Sequence, residues 1–148
     1  MALLDLIKAD QIKVPLVSNT KNEVLYELIQ VLVDAGIISD KEEAFRVIRA
    51  REDQSSTGLA DGIAVPHAKT ALVDNLTMVI GIKPEGMDFS SLDGQPSKIF
   101  FLMLAAPDQS GPHIEALSEI ARITRSSAFV RVLASARSAD EVVELFEG

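Results

Sequence analysis

The sequence predicts a three-layer α/β/α fold in which helices flank a mixed β-sheet, formed by residues 1–148 as one domain. Residues 77–82 and 98–106 are apolar with little alternation, a pattern typical of strands that helices cover on both faces. Segments with helical periodicity lie before and after this pair of strands. The chain has 148 residues, 47% of them hydrophobic, which is enough to form one sizeable core.

The N-terminal part of the chain predicts an extended segment followed by a helix. Residues 11–16 mix β-branched and polar side chains, and Pro15 lacks the N–H that an inner strand would need, so an edge strand is expected. Thr20 and Glu23 have the spacing of a capping box at the start of an apolar helical stripe. Gly36 supplies the stop of that helix.

A second helix and a loop precede the first histidine. Residues 39–42 repeat the capping device, and Arg51 falls on the continuation of the apolar stripe of this helix, which is an unusual place for a charge. Residues 54–62 are rich in small and hydroxyl side chains and predict a loop. A short apolar strand at 63–65 then leads to His67.

The C-terminal half predicts turns between the two buried strands and then helices. The turns are expected at 85–89 and 92–96, each with a few apolar anchors. Residues 110–112 open a helix with proline near its first turn, which places His113 just inside that end. Two more helices follow, the last of which begins at Ser138.

Composition excludes several functional classes. The net charge of −8, with no cluster of basic residues, argues against nucleic acid and anionic membranes as partners. The chain has no cysteine, so disulfides, thiolate nucleophiles and Cys-ligated metals are excluded. The first residues lack the pattern of a signal peptide, and the apolar run at 99–106 is too short to cross a bilayer. A cytoplasmic location is therefore expected.

Both histidines of the chain lie at the ends of secondary-structure elements, where α/β proteins form ligand crevices and helix starts attract anions. A histidine that accepts phosphate needs a neutral ring nitrogen, an exposed position and donors for the incoming oxygens. His67 has candidate helpers of three kinds: a guanidinium, a second imidazole, and hydroxyl and backbone donors. These helpers are Arg51, His113, Ser56, Thr57 and Gly58.

Each of these features also has an ordinary structural interpretation. The Ser-Thr-Gly sequence is common turn chemistry, Arg51 can pair with a surface acid, and Lys69 is interpreted as a solvated loop residue. The acids near the site are typical turn residues, and no cluster has the spacing of metal ligands. On these grounds alone, the residues predict an anion or phosphate site and no more.

A family resemblance makes this prediction specific. Residues 52–69, which read EDQSSTGLADGIAVPHAK, closely resemble the active-site signature of the type-2 IIA domains of the sugar phosphotransferase system, the fructose, mannitol and nitrogen-regulatory family. The resemblance extends to Arg51 just before the signature and to residues 87–94, 106–107 and 113–117. It covers nearly the whole chain.

The resemblance implies that His67 accepts phosphate from the carrier protein HPr and passes it to a IIB domain. Arg51 and His113 would neutralise the phosphoryl oxygens and hold the ring, and no cofactor or metal is required. Nε2 of His67 is the expected phosphorylated atom, and the helix dipole is expected to keep His113 neutral.

Two alternative functions stay open. The first is a nitrogen-related regulatory protein whose phosphorylation controls a protein target, and the second is a passive anion-binding fold without phosphotransfer.

Overall fold

A mixed β-sheet separates two layers of helices in the computed structural model, which describes residues 3–148. The strands are β1 (Ile12–Lys13), β2 (Ile63–Ala64), β3 (His67–Lys69), β4 (Thr77–Met87) and β5 (Ser97–Ala105). The helices are α1 (Lys21–Asp34), α2 (Lys41–Gln54), α3 (Ser110–Ile123), α4 (Ser127–Ala134) and α5 (Ala139–Glu147). Short 3₁₀ helices at Leu3–Leu6 and Ala9–Gln11 precede β1. The predicted three-layer α/β/α class is confirmed.

The long strands β4 and β5 form the antiparallel centre of the sheet, and shorter strands run parallel to them at the edges. β1 pairs with β4, while β2 and β3 follow each other along the free edge of β5. Ile63 lies opposite Ile99 and His67 lies opposite Met103, so both short strands keep one register. They are therefore two parts of one strand, interrupted at residues 65–66.

β5 forms the middle of the core because nearly all of its side chains are buried, alternately on the two faces of the sheet. Phe100, Leu102 and Leu104 join the hydrophobic cluster that contains α1 and α2. Phe101 and Met103 point the other way and pack with α3, α4 and α5. The apolar run that predicted this strand thus supplies both helical layers with a partner.

Helix starts follow the predicted capping chemistry, with one shift. The side chain of Thr20 accepts the Glu23 N–H, and α1 is followed by Gly36 at a φ of 76°, a left-handed conformation that glycine adopts without strain. α2 is capped by Asp40, whose carboxylate accepts the Glu43 N–H at 3.0 Å. The capping device predicted at 39–42 therefore begins one residue later.

Two other predicted boundaries are wrong. β4 continues through residues 85–87, where a turn was expected, because the strand resumes pairing after an irregularity and Met87 lies opposite Ser97. The edge strand expected at 11–16 is only two residues long. Gln11 belongs to a 3₁₀ helix, and its buried amide donates to Thr77 Oγ1 and to the Met78 carbonyl instead of a strand ladder.

A buried carboxylate ties the two helices of one layer to the loop before β2. Glu52 accepts hydrogen bonds from the N–H and from the hydroxyl of Thr57, and it forms an ion pair with Lys21 at 2.8 Å. The ammonium of Lys21 also lies 4.6 Å from the centre of the Phe89 ring. One carboxylate therefore connects the start of α1, the last turn of α2 and the loop.

We expect Glu52→Gln to lower the free energy of unfolding by about 2 kcal/mol, because the amide removes one partner of a buried ion pair and adds a donor where donors already converge. Urea unfolding measures this change. The matched control is Asp53→Asn, which breaks the exposed ion pair with Arg49 and should cost less than about 0.5 kcal/mol. Equal losses in the two variants would contradict a special role for Glu52.

Candidate functional site

His67 begins β3 at the point where the edge strand resumes after its interruption. The Met103 N–H donates to the Pro66 carbonyl at 2.9 Å, so the pairing with β5 holds the backbone directly before the histidine. His67 lies opposite Met103, whose side chain belongs to the α3 side of the sheet. The imidazole is half-buried and points to that side. The sequence placed this residue after a strand, whereas it opens one.

A backbone contact fixes the tautomer of His67. Its Nδ1 lies 2.5 Å from the carbonyl oxygen of Val65. A carbonyl oxygen only accepts hydrogen bonds, so Nδ1 carries the proton and donates. Nε2 then keeps its lone pair, which makes it the nucleophilic nitrogen of the ring.

His113 lies beside His67 in the first turn of α3. The ring centres are 5.1 Å apart and the planes are nearly perpendicular, at 80°. The side chain is buried, and its Nε2 is enclosed with no hydrogen-bond partner among residues 3–148. Burial is the main cause that lowers the pKa of His113 below 6.5, followed by the charges of His67 and Lys69. The direction of this pKa shift is the one expected from the helix dipole, but burial is its principal cause.

Arg51 lies in the last turn of α2, which packs against β3. One of its guanidinium N–H groups donates to the Ser55 carbonyl at 2.9 Å. The neighbouring acids have other partners, since Glu52 pairs with Lys21 and Asp53 with Arg49. Among residues 3–148, no carboxylate lies within ion-pairing distance of Arg51, so the surface pairing considered from the sequence is not what the structure contains.

The loop at residues 56–58 uses its donors within the protein. The hydroxyl of Ser56 donates to the Phe89 carbonyl at 2.9 Å, and the Gly58 N–H donates back to Ser56 Oγ at 3.1 Å. Both donors of Thr57 bind Glu52, while the Thr57 carbonyl accepts the Val65 N–H at 3.0 Å. This loop therefore holds Val65, the residue whose carbonyl orients the ring of His67.

Close backbone packing explains the glycine of this loop. A Cβ atom at Gly58 would lie 2.8 Å from the Phe89 carbonyl oxygen and 2.9 Å from Ser91 Cα. Both neighbours are backbone atoms that cannot rotate away. Only glycine lets the loop approach residues 89–91 this closely.

Two residues of the site were missed or misplaced by reasoning from the sequence. Glu52 entered the sequence analysis only as the first residue of the signature at 52–69, although its burial makes it the anchor of the loop. Lys69 was interpreted as a loop residue, but it belongs to β3 and its Nζ lies 2.5 Å from Ser110 Oγ. The alternation of side chains along a strand was the available signal, since residues 67 and 69 share a face once a strand is assumed.

A large cleft lies elsewhere on the molecule. It has a volume of about 660 Å³ and is lined at the opposite end of β5 by charges of both signs, including Asp93, Lys98, Arg125 and Arg131. Neither histidine contributes to it.

Within the described part of the chain, no group of three His, Asp or Glu side chains is arranged to hold a metal ion. None of the helices between residues 3 and 148 is long and apolar enough to span a bilayer.

The two histidines form a site suited to receiving an anionic group. A half-exposed imidazole presents a nucleophilic nitrogen, and the orphan Nε2 of a second, neutral imidazole lies next to it. Two cations without carboxylate partners among residues 3–148, Arg51 and Lys69, lie on elements that flank the histidine. Fold and site together define a class of α/β/α proteins with two adjacent histidines between a strand at the sheet edge and the start of a helix.

Comparison with known proteins identifies the family. Residues 5–148 match the model of the family described as "Phosphoenolpyruvate-dependent sugar phosphotransferase system, EIIA 2". The chain belongs to this family, as the resemblance of residues 52–69 suggested.

Relatives come from both branches of the family. The chain is 36% identical over 145 residues to the PTS system fructose-specific EIIABC component of Bacillus subtilis (strain 168), which covers 98% of this chain and 23% of that protein. It is 31% identical over 143 residues to the Nitrogen regulatory protein of Bradyrhizobium diazoefficiens, covering 96% of this chain and 92% of the relative. The chain thus spans about a quarter of the first relative and nearly all of the second.

Solved structures show the same fold. The Nitrogen Regulatory Protein IIA-Ntr from Neisseria meningitidis superposes with a TM-score of 0.87 at 26% identity, covering 97% of each chain. IIA mannitol from Escherichia coli gives a TM-score of 0.78 at 26% identity, covering 93% of this chain and 96% of that one. A complex of Escherichia coli enzyme IIAMTL with phosphorylated enzyme IIBMTL gives 0.79 at 26% identity, covering 95% and 96%.

The buried state of His113 makes stability depend on pH. Because its pKa is lower in the folded chain than the ordinary 6.5, the unfolded chain binds more protons as the pH falls below that value. We expect the free energy of unfolding to fall more between pH 7.5 and about pH 5.5 in the wild type than in His113→Gln. Urea unfolding at both pH values measures the difference, and an equal pH dependence in the two proteins would contradict it.

Proposed function

We propose that residues 1–148 form one phosphocarrier domain that accepts a phosphoryl group from phospho-HPr on His67. The domain then passes this group to the IIB domain of a fructose- or mannitol-type sugar permease, in the cytoplasm. The observation that carries this proposal is the single free lone pair on Nε2 of a half-exposed histidine, set by the contact of Nδ1 with the Val65 carbonyl. Family membership and the IIA–IIB complex of the mannitol system support it.

The chemical step requires only the ring and its neighbours. The Nε2 lone pair of His67 attacks the phosphorus of the donor phosphohistidine and forms a new N–P bond. The old N–P bond breaks, and its electron pair returns to the donor ring. The Val65 carbonyl, hydrogen-bonded to Nδ1–H, stabilises the positive charge that develops on His67 and holds the ring in line.

The helpers act on the charge of the phosphoryl oxygens. Arg51 has N–H groups left after its bond to Ser55 and carries a fixed positive charge. His113 is held neutral, and a phosphoryl oxygen on His67 would give its orphan Nε2 a partner when that nitrogen carries the ring proton. A donor without a fixed charge binds phosphate without making the N–P bond excessively stable, as a relay needs.

The main role of the loop at residues 56–58 is to hold the backbone next to His67 in position. Its donors on Thr57 and Gly58 are engaged with Glu52 and Ser56. Ser56 is half-exposed, and its hydroxyl can turn from the Phe89 carbonyl toward a phosphoryl oxygen. We therefore propose that Ser56 contributes a direct contact with phosphate, while Thr57 and Gly58 hold Val65 and its carbonyl.

A second candidate function is regulation, in which phosphate on the same histidine switches binding to a protein target. The observation that favours it is full-length similarity: the chain covers 92% of a nitrogen regulatory protein at 31% identity. The IIA-Ntr structure also covers 97% of the chain with a TM-score of 0.87. Both candidates use the same chemistry at His67 and differ in where the phosphate goes.

Phosphate labelling tests the first step. Incubation with enzyme I, HPr and labelled phosphoenolpyruvate should place acid-labile label on the wild-type protein and none on His67→Ala, because only a neutral imidazole nitrogen forms this bond. Label that persists in His67→Ala, or a wild-type protein without label, would refute the proposal.

Transfer to a partner distinguishes the two candidate functions. Purified phosphoprotein is mixed with a fructose-type IIB domain. Loss of label to IIB supports the sugar relay, and retention of label supports the regulatory function.

The charge of Arg51 should affect the rate of transfer and not the fold. We expect Arg51→Met to slow single-turnover phosphorylation by phospho-HPr about 10- to 100-fold, because a cation facing the transferring oxygens is lost. Rapid-quench kinetics measures this rate. The control is Arg49→Met, an exposed arginine of the same helix paired with Asp53, which should change the rate less than about twofold. Equal rates for both variants would remove Arg51 from the site.

A further inference from the structure

Lys69 and His67 project from the same face of β3. They are two residues apart in one strand, and Ala68 between them is buried in the cluster on the opposite side of the sheet. Their partners in register, Met103 and Ala105, both belong to the cluster on the α3 side. Two residues along a strand span about 6.6 Å, so the ammonium of Lys69 can reach a group carried by the ring of His67.

The same two strand residues contact the same turn of α3. His67 packs against His113, and Nζ of Lys69 lies 2.5 Å from the hydroxyl oxygen of Ser110, the first residue of that helix. The two contacts form neighbouring links between β3 and α3. Because an ammonium has three N–H donors and Ser110 takes one, two donors remain for oxygens at the site.

Lys69 has no carboxylate within ion-pairing distance among residues 3–148, in a chain with a net charge of −8. Lys21 and Lys83, by contrast, lie near Glu52 and Glu85 at 2.8 and 3.5 Å. The ammonium of Lys69 contacts the Ser110 hydroxyl, and its positive charge contributes to lowering the pKa of His113. Its charge is therefore uncompensated next to the nitrogen that would receive a phosphoryl group carrying close to two negative charges.

We propose that Lys69 is the cation that binds the phosphoryl group of His67 from the α3 side, moving its ammonium from Ser110 toward a phosphoryl oxygen. This inference rests on the proposed function of His67 and adds a residue to it. Lys69 forms and breaks no covalent bond: the N–P bond passes from donor to His67 as described above, and the lysine keeps its proton. Arg51 binds from α2 and Lys69 from β3, so the phosphoryl group lies between two cations.

An ammonium that contacts the phosphorylated state shifts the equilibrium as well as the rate. Lysine binds the product oxygens through charge-assisted hydrogen bonds, so its removal makes phospho-His67 less stable relative to phospho-HPr. A residue that merely supports the fold would leave this equilibrium unchanged. The equilibrium ratio of the two phosphoproteins is therefore the informative measurement.

The experiment compares Lys69→Met, Lys69→Arg and the control Lys98→Met, an exposed lysine near the other end of β5. Labelled phospho-HPr is mixed with each protein after enzyme I is removed. The single-turnover rate and the final ratio of the two phosphoproteins are measured, and urea unfolding confirms the fold. We expect Lys69→Met to shift the ratio toward phospho-HPr about tenfold, with Lys69→Arg within about threefold of the wild type. Lys98→Met should match the wild type.

The outcomes separate the two proposals. If the wild type receives no label, the proposed function fails. If the wild type is labelled and a folded Lys69→Met protein has the wild-type rate and ratio, the role of Lys69 alone is refuted. Equal losses in Lys69→Met and Lys69→Arg would also contradict a role of the positive charge.

Discussion

The pairing of residues 63–69 with β5 is the constraint on which the candidate site depends. β5 is buried on both faces, so its register toward the two helical layers is fixed by the core. The interrupted edge strand keeps this register on both sides of its break. His67 therefore faces α3 and not α1. A shift of one residue would turn the imidazole into the opposite cluster and replace it with Ala68.

A second set of contacts orients the imidazole ring of His67. Glu52 holds Thr57, the Thr57 carbonyl holds the Val65 N–H, and the Val65 carbonyl receives Nδ1–H of His67. Each link is a hydrogen bond between groups that are largely excluded from water, where an unpaired partner would be costly. Three hydrogen bonds thus link the buried carboxylate at the end of α2 to Nδ1 of the ring on β3.

The charges around the site differ from those of the chain as a whole. The protein carries a net charge of −8, yet His113 packs against His67, Lys69 shares its strand, and Arg51 lies in the last turn of the helix that packs against this strand. The acids next to Arg51 are occupied by Lys21 and Arg49. Arg51 and Lys69 therefore keep their positive charges without a carboxylate partner among residues 3–148, which is what the proposed binding of a phosphoryl group requires.

The sequence by itself determined the three-layer class, the buried strands, the cap at Thr20, the stop at Gly36 and the pairing of His67 with Arg51 and His113 as candidates. These depend on periodicity, on local backbone chemistry and on a signature of adjacent residues. Tertiary structure alone decided the orphan nitrogen of His113, the tautomer of His67, the anchoring role of Glu52 and the position of Lys69. These features depend on burial, on contacts between residues that are distant in the chain, and on the orientation of side chains. No local sequence pattern specifies any of the three.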